Sequence, residues 1–249
     1  MTLFDILIVA GILAAASAIQ SSSGFGFALF AIPLMLSLQF SLFEAVIITT
    51  VASALQKIIA MTSLWKDTDW KNNTPYMIIG FFALPIGVFS MYRLTFLNKS
   101  TIELLIGMLV FILLLLQWWG VIKSREIVAP IWGYIAGFFS GYLNGLSNIG
   151  GPPIVLWVLA HRWPNNKMRA TPIAFSLVFL PFQLLFMYIA FHSHFWPPFL
   201  KGILSIPAVI AGTYLGLKIG NKISRDHLEL YMRVLLLFVA VSSILKHLF

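Results

Sequence analysis

The sequence contains no cysteine among its 249 residues, and only 10% of the residues are charged. The absence of cysteine excludes a disulfide framework, a thiolate metal site and a cysteine nucleophile. Soluble globular domains have about 25% charged residues, so this chain has too few charges to cover a surface that faces water. Because 60% of its residues are hydrophobic, the composition predicts an all-α integral membrane protein with several spans.

Acidic residues are also scarce, with 8 Asp and Glu against 16 Lys and Arg, which gives a net charge of +8. A basic balance can indicate nucleic-acid binding, but no basic block or nucleic-acid motif is present. Lys and Arg that concentrate in cytoplasmic loops explain the same excess, as the positive-inside rule requires. The sequence therefore predicts a lipid bilayer, and no nucleic acid, as a partner.

Ten apolar runs of helical character follow one another along the chain. A helix needs about 20 residues to span a bilayer, and most of the runs are long enough. The second and seventh runs are short, and at a rise of about 1.5 Å per residue the seventh does not reach across. The runs lie at 3–20, 25–40, 42–64, 75–92, 102–122, 128–147, 153–163, 170–191, 198–217 and 228–248.

The runs divide into two sets of five that correspond to one another. Gly24-Phe-Gly-Phe27 aligns with Asn148-Ile-Gly-Gly151 at an offset of 124 residues, and 97–104 aligns with 223–230 at a similar offset. Coincidence among apolar helices is the alternative, but internal repeats are common in transporters. The sequence predicts one membrane domain made of two inverted repeats, 1–123 and 124–249, each with about five helical segments.

The distribution of Lys and Arg indicates how the segment 128–163 lies in the bilayer. If it forms a hairpin that returns to its own side, most basic residues fall on the cytoplasmic side; if it is one broken spanning helix, they divide almost evenly. The bias therefore favours interrupted or re-entrant hairpins at 128–163 and, by the repeat, at 3–40. It leaves open whether 3–20 and 25–40 fully span.

Polar residues interrupt the two halves at matching positions, Gln20–Phe27 and Asn144–Pro153. An unpaired backbone group in hydrocarbon costs several kcal/mol, roughly, so non-helical backbone survives only inside protein or beside a watery cavity. Paired interruptions of this kind in two inverted halves are the best sequence indication of a transporter's binding site.

The two interruptions suit an anion. Helices that begin after Gly24 and at Pro152 expose their first N–H groups and a positive dipole end, which together bind oxyanions. Glycine lets the backbone approach a ligand closely. The alternative is a tight helix crossing in which small residues only pack. The predicted substrate-binding residues are Gln20, Ser21, Ser22, Ser23, Gly24, Gly26, Asn144, Gly145, Ser147, Asn148, Gly150, Gly151, Pro152 and Lys57.

Lys57 lies inside the run 42–64, about 10 Å from its end. A cation within the membrane is costly and indicates function. It either holds the charge of the anion or forms a salt bridge; the alternative is that its long side chain reaches the membrane boundary. Gln56 and Gln183, polar residues within matching runs, are weaker candidates for the same functional role. Arg169 begins a span on the predicted cytoplasmic side and either attracts anions or anchors the topology.

The remaining titratable residues offer no obvious group for proton coupling or metal binding. Glu103 and Glu229 begin matching helices, where capping or local ion pairing is expected. The histidines at 161, 192 and 194 have no metal-ligand spacing with acids. We expect no cofactor and no metal.

The motif Gly145-Leu-Ser-Asn-Ile-Gly-Gly-Pro-Pro153, followed by Ile-Val-Leu-Trp157, resembles the signature of the TauE/SafE sulfite exporter family. Its first-half counterpart, Gly24-Phe-Gly-Phe-Ala-Leu-Phe-Ala-Ile-Pro33, does so too, and the resemblance covers essentially the whole chain. It implies a multi-pass carrier of the bacterial inner membrane for a small sulfur-containing anion, such as sulfite or an organosulfonate. A coupling ion (a proton or another) and a homodimer remain open.

The sequence thus predicts a secondary transporter, in the direction of export, that works by alternating access. No Walker motif is present, so the chain does not itself use ATP. An anion channel is an alternative within transport. A membrane-embedded enzyme would need a motif such as HExxH or GxSxG or an acidic cluster, which the sequence lacks. A non-transporting membrane subunit would have no need of two interrupted helices.

Overall fold

The computed structural model describes residues 3–98 and 128–220, with scattered positions at 101–115, 222, 230 and 234. Most of the predicted runs 102–122 and 228–248, the boundary between residues 123 and 124, Glu103 and Glu229 lie outside the described residues. The continuous described stretches contain α1 (Leu3–Ser23), α2 (Phe27–Ser37), α3 (Leu42–Leu64), α4 (Trp70–Leu94), α5 (Pro130–Ser147), α6 (Gly151–Leu159), α7 (Asn165–Phe191), α8 (Trp196–Leu204) and α9 (Ile206–Gly220).

Three segments are long and apolar enough to cross a membrane: Leu42–Asp67, Trp70–Leu94 and Asn165–Leu204. Their outward surface is apolar as well, since Phe82 is 68% and Leu204 79% exposed. Large exposed hydrophobic side chains at such helices fit contact with lipid tails and not with water. The prediction of an all-α, multi-pass membrane protein is confirmed.

The two interruptions are shorter than the sequence predicts. Ser21–Ser23 belong to the last turn of α1, and Asn144–Ser147 belong to α5, so only 24–26 and 148–150 leave the helices. The Ser22 and Ser23 hydroxyls donate to the Ile19 carbonyl at 2.9 and 2.8 Å. A serine that bonds back to the preceding turn satisfies its hydroxyl inside the helix and does not have to end it.

The predicted single run 198–217 is wrong, because two helices, α8 and α9, meet at Ser205. Pro207 explains the separation. Its ring clashes with the carbonyl group four residues earlier, and it has no N–H to bond there. The chain is therefore interrupted at Ser205 instead of continuing as one helix.

Two pairs of helices pack closely enough for their backbones to touch, α1 with α9 and α4 with α5. A Cβ placed on Gly212 of α9 would overlap the Ala14 carbonyl oxygen, and one on Gly141 of α5 would overlap the Gly80 carbonyl oxygen. Small residues bring helices together in this way in membranes. Gly145 lies in the same α4–α5 contact, against the Leu84 carbonyl.

Helix α3 is the most enclosed of the three spanning segments, with 67% of its most apolar window buried against 39% for the other two. It packs against α7 and α8 and also contacts α1, α2 and α9. Five polar side chains of α3 are buried in the interior of the protein: Thr49, Thr50, Ser53, Gln56 and Lys57. Helix α3 places Lys57 near both interruptions and Gln56 in contact with Ser21, just before the first one.

Salt bridges join the ends of helices from the two halves of the chain. Lys167 Nζ lies 3.0 Å from Asp69 Oδ2, and Lys201 Nζ lies 3.7 Å from Glu44 Oε1. Asp69 immediately precedes α4, and Lys167 is in the first turn of α7. The starts of α4 and α7 consequently lie at the same end of the helix assembly.

Candidate functional site

The first break, residues 24–26, joins α1 to α2 through two glycines in a conformation that other residues rarely adopt. Gly24 has φ +90° and Gly26 has φ +107°. The Gly24 N–H donates to the Gln20 carbonyl at 2.7 Å, which closes α1, and the Phe30 N–H donates to the Gly26 carbonyl at 3.0 Å, which opens α2. The N–H groups of residues 27–29, the first three residues of α2, have no acceptor within the helix.

The second break, residues 148–150, joins α5 to α6 by a different local structure. Asn148 is left-handed at φ 54°. Its N–H donates to the Asn144 carbonyl at 2.8 Å, and the Ile149 N–H donates to the Leu143 carbonyl at 3.2 Å, a common helix ending. Gly151 opens α6, and Pro152 and Pro153 follow it. Because proline has no N–H, α6 presents fewer free donors than α2.

A small cavity lies between the two breaks. Its volume is about 20 Å³, which accommodates about one water molecule. Of the predicted site residues, the structure brings together at this cavity Gln20, Gly24, Gly26, Lys57, Asn148, Gly151 and Pro152. The remainder of the lining is Phe25, Phe27, Ala28, Leu29, Ile149 and Ser176.

Lys57 is the charged residue of the cavity lining. Its side chain is only 2% exposed, so the interpretation in which it reaches the membrane boundary is wrong. Among the residues that the structure describes, no hydrogen bond or salt bridge joins it to a partner, so the predicted alternative of a salt bridge finds no support there. The described lining thus combines Lys57 with the start of α2 and includes no acidic side chain, which favours a negatively charged ligand.

Three predicted residues of the first break do not line the cavity. Ser21 Oγ accepts a hydrogen bond of 2.9 Å from Gln56 Nε2 of α3. Ser23 Oγ donates to the Phe25 carbonyl at 2.7 Å, in addition to its bond to Ile19, and Ser22 bonds to Ile19 alone. These serines hold the shape of the break and do not face the cavity between the two helices.

The predicted residues of the second break that lie away from the cavity are also structural. The Asn144 carbonyl accepts a 2.6 Å bond from Gln183 Nε2 of α7, and Ser147 Oγ donates to the Leu143 carbonyl at 3.3 Å. Gly150 fits against the Asn144 side chain, where a Cβ would overlap. The tight-packing alternative thus describes Gly145 and Gly150 better than substrate contact does.

Matching glutamines support the two breaks, Gln56 from α3 and Gln183 from α7. Both side chains are completely buried. Around the second break, several buried polar atoms have no hydrogen-bond partner within the described residues: Ser140 Oγ, Asn144 Nδ2, Asn148 Oδ1 and Gln183 Oε1. The second break is therefore polar, but the described residues of its part of the lining carry no charge.

Arg169 occupies a position that sequence reasoning missed. It is 1% exposed, and its Nη2 donates to the Ser21 carbonyl at 2.8 Å. A cation at the carboxyl end of a helix stabilises the unpaired carbonyls there. Arg169 therefore stabilises the end of α1 from the other half of the chain, and it is not a surface anchor at an entrance. Its position beside Lys167 gave no sequence signal of burial.

Thr49 and Ser176 are two further residues that the sequence interpretation omitted. Asn148 Nδ2 donates to Thr49 Oγ1 at 3.4 Å, and Ser176 lines the cavity. Each precedes its glutamine, Gln56 or Gln183, by seven residues, which is two helical turns and therefore the same face. This shared spacing is the signal that could have identified them.

The chain matches the family model described as "Sulfite exporter TauE/SafE" over residues 7–243. No curated protein and no solved structure matches it. Because the family match covers nearly the whole sequence, the chain belongs to the sulfite exporter TauE/SafE family, and the family predicted from the sequence is confirmed.

Proposed function

We propose that this member of the sulfite exporter TauE/SafE family is a secondary transporter that exports sulfite or an organosulfonate across the bacterial inner membrane by alternating access. The family supports export of a sulfur-containing anion at a coarse level. The observation that carries the finer proposal is the cavity between the breaks. Its lining combines Lys57 with the opening turn of α2, and the lining residues that the structure describes include no carboxylate.

The chemistry of the lining fits the –SO₃ group that sulfite and sulfonates share. Three oxygens carry the negative charge of this group, and each accepts hydrogen bonds. The N–H groups of Phe27, Ala28 and Leu29 are free of intrahelical acceptors and belong to residues of the lining. Bonds from such donors to an anion are stronger than bonds between neutral groups. Lys57 supplies the opposite charge.

The size of the cavity requires movement during binding. A volume of about 20 Å³ accommodates a water molecule, which has one non-hydrogen atom, whereas sulfite has four. The first and second breaks must therefore separate when the anion enters. A site that is closed in this conformation and opens when its walls part is what alternating access needs.

The packing supports the proposal of two inverted repeats. Helix α1 pairs with α9, and α5 pairs with α4, so the opening helix of each half lies against the closing described helix of the other half. The Lys167–Asp69 salt bridge places the starts of α7 and α4 together. A broken spanning helix at 128–163 would separate these starts by the membrane, so their contact favours a hairpin.

Single-cysteine labelling tests this topology cleanly because the natural chain has no cysteine. In sealed vesicles, we expect Lys66→Cys and Asn166→Cys to react with a membrane-impermeant maleimide from the same face, and Ser193→Cys from the opposite face. All three positions are exposed. Labelling of Lys66→Cys and Asn166→Cys from opposite faces would contradict the hairpin.

Transport is tested with purified protein in liposomes and ³⁵S-labelled sulfite. We expect saturable flux that exceeds the flux of empty liposomes and that unlabelled organosulfonates inhibit. Flux that rises linearly with concentration would favour the anion channel over the carrier. Protein that is folded and correctly inserted but carries neither sulfite nor sulfonates would contradict the proposed function.

A further inference from the structure

We propose that Lys57 binds one proton together with each anion, so that proton and anion cross the membrane as a pair. This inference rests on the proposed transport of a sulfur oxyanion through the same cavity. It assigns the coupling ion and the group that carries it, which neither the family match nor the shape of the cavity specifies.

The geometry isolates Lys57 from other charges. Among the residues that the structure describes, no other titratable side chain lines the cavity, and the described side chains of α1, α2 and α6 include none. Arg169 of α7 bonds to the Ser21 carbonyl, and Lys201 of α8 pairs with Glu44. The other titratable groups on described elements around α3 stand outside the lining: Lys66, Asp67, Asp69, Lys71, Tyr76, Tyr92, Arg93, Tyr134, Tyr142, Lys167, Tyr188, Tyr214 and Lys218.

Burial without a counter-ion gives Lys57 two states that depend on the anion. A charged ammonium in a water-poor interior is unfavourable unless an opposite charge stands beside it, so the anion-free site favours the neutral amine. An anion beside the first turn of α2 provides that opposite charge. Its binding therefore draws a proton onto Lys57 Nζ, and its departure on the other side releases the proton there.

Charge balance over the cycle follows from these two states. The loaded site contains an ammonium and a monoanion and has no net charge, and the unloaded site contains a neutral amine and has none either. Both forms can thus reorient without moving charge through the membrane interior. For a monoanion, transport is electroneutral, and the gradients of anion and proton together set its direction.

Methanesulfonate is the sharpest probe, because it remains a monoanion throughout the neutral pH range and any proton that moves with it must be bound by the protein. We expect labelled methanesulfonate to accumulate in proteoliposomes when the inside is alkaline and the membrane potential is held at zero with potassium and valinomycin. One pH unit should give about tenfold accumulation for a coupling of one to one. A membrane potential without a pH gradient should give none.

Lys57→Arg is the diagnostic variant because arginine stays protonated in proteins. Its unloaded site keeps a positive charge, so we expect net flux that follows the membrane potential and ignores the pH gradient. Lys201→Arg, in which the charge lies outside the cavity, should respond to both gradients as the wild type does. A Lys57→Arg variant that responds to the gradients as the wild type does would overturn the inference, whichever sulfur anion is used.

The wild type alone also decides between the two proposals. Sulfur-anion uptake that follows the potential and ignores the pH gradient overturns proton binding at Lys57 and leaves the transporter intact. Absence of any flux, for methanesulfonate and for sulfite tested in parallel, refutes the transporter itself. Accumulation that follows the pH gradient at zero potential supports both.

Discussion

The two breaks occupy matching positions in the sequence but differ in what they offer a ligand. At the first break, α2 opens with Phe27-Ala28-Leu29, whose three N–H groups are free of intrahelical acceptors, and Lys57 lines the same cavity. At the second break, α6 opens with Gly151-Pro152-Pro153, in which two of the three residues have no N–H. The first break therefore offers a negatively charged ligand more donors than the second does.

The second break contributes shape and neutral polar groups. Asn148 provides a side-chain amide in the lining, and prolines at the start of α6 fix the backbone direction there. Lys57 has no charged counterpart in the matching helix, where Leu184 follows Gln183. The two halves of the chain therefore differ at the cavity, with its lysine in one half and a rigid neutral wall in the other.

Of the changes considered, replacement of Lys57 by an uncharged residue should have the largest effect on anion binding. Loss of one partner from a buried charge pair costs about 3–5 kcal/mol, so we expect Lys57→Gln to weaken sulfite binding at least about 100-fold. The thermal stability of the ligand-free protein should stay the same or rise, because a buried polar group without a hydrogen-bond partner among the described residues has been removed. Lys201→Gln is the control for loss of a surface charge.

Calorimetry and thermal unfolding in detergent would measure both effects. A Lys57→Gln protein that is folded and binds sulfite within about threefold of the wild type would remove the basis for assigning the charge to the first break.

Exchange of the opening residues tests the role of the backbone donors. Ala28 and Pro152 correspond at the same offset of 124 residues as the breaks, so Ala28→Pro gives the first break the residue of the second. Proline is tolerated in a first helical turn, and the change removes one N–H. A hydrogen bond to a charged group contributes about 1.5–3 kcal/mol, so we expect about 10- to 100-fold weaker sulfite binding.

Pro152→Ala is the matched reverse change, which restores an N–H at the second break. We expect sulfite binding to be unchanged or tighter by calorimetry. If Ala28→Pro and Pro152→Ala weakened binding equally, the two breaks would contribute equally, contrary to the assignment.

Substitution should also lower the midpoint of thermal unfolding more at the first break than at the second. A Cβ on Gly24 would lie 2.6 Å from the Arg169 carbonyl oxygen at a φ of +90°, so Gly24→Ala has both a clash and an unfavourable backbone. Backbone strain of this kind costs about 1–3 kcal/mol before the clash is counted. We expect a clear fall in the midpoint of thermal unfolding for Gly24→Ala.

Asn148→Gly is the matched change at the second break. Glycine adopts the left-handed conformation of Asn148 freely, and only the 3.4 Å bond to Thr49 is lost. Its midpoint should remain within a few degrees of the wild type. An equal fall for both variants would show that backbone strain does not distinguish the breaks.

The smallest effect is expected at Asp69, which pairs with Lys167 near the start of α7. Arg169, two residues further along α7, bonds to the end of α1 at the first break. A hydrogen bond from the Asn72 side chain, and then one from Lys167, lowers the pKa of Asp69 below its ordinary value of 3.8. The folded protein therefore binds this proton less well than the unfolded chain. The stabilisation is complete well above pH 3.8 and is lost as the pH falls through the lowered pKa.

Both side chains are partly exposed, so Asp69→Asn should cost less than about 1 kcal/mol at neutral pH. The difference in unfolding midpoint from the wild type should shrink on acidification below the ordinary carboxyl pKa. A difference that grew as the pH fell would contradict the assigned direction.

Much of the site could be predicted from local sequence, because glycine and proline act locally. Gly24 and Gly26 require backbone conformations that few residues adopt, and Pro152 marks a helix start. Proline alone was not sufficient, since Pro75 and Pro85 lie inside α4 whereas Pro207 accompanies the separation of α8 from α9. Whether a proline ends a helix depends on the packing around it.

The contacts across the two halves could not be predicted in this way. Arg169 bonds to Ser21, 148 residues away, and nothing near Arg169 in the sequence indicates the end of a helix that it stabilises. Ser21–Ser23 remain helical because each hydroxyl finds a partner, which composition does not reveal. The sequence located the breaks, while tertiary packing decided which of their polar groups face the cavity.

A structure determined with bound sulfite would test the central claim most directly. The account predicts the anion between the two breaks, with its oxygens within hydrogen-bond distance of the N–H groups of residues 27–29 and of Lys57 Nζ. Sulfite bound instead among Ser140, Asn144 and Gln183 at the second break, or outside the cavity altogether, would contradict it.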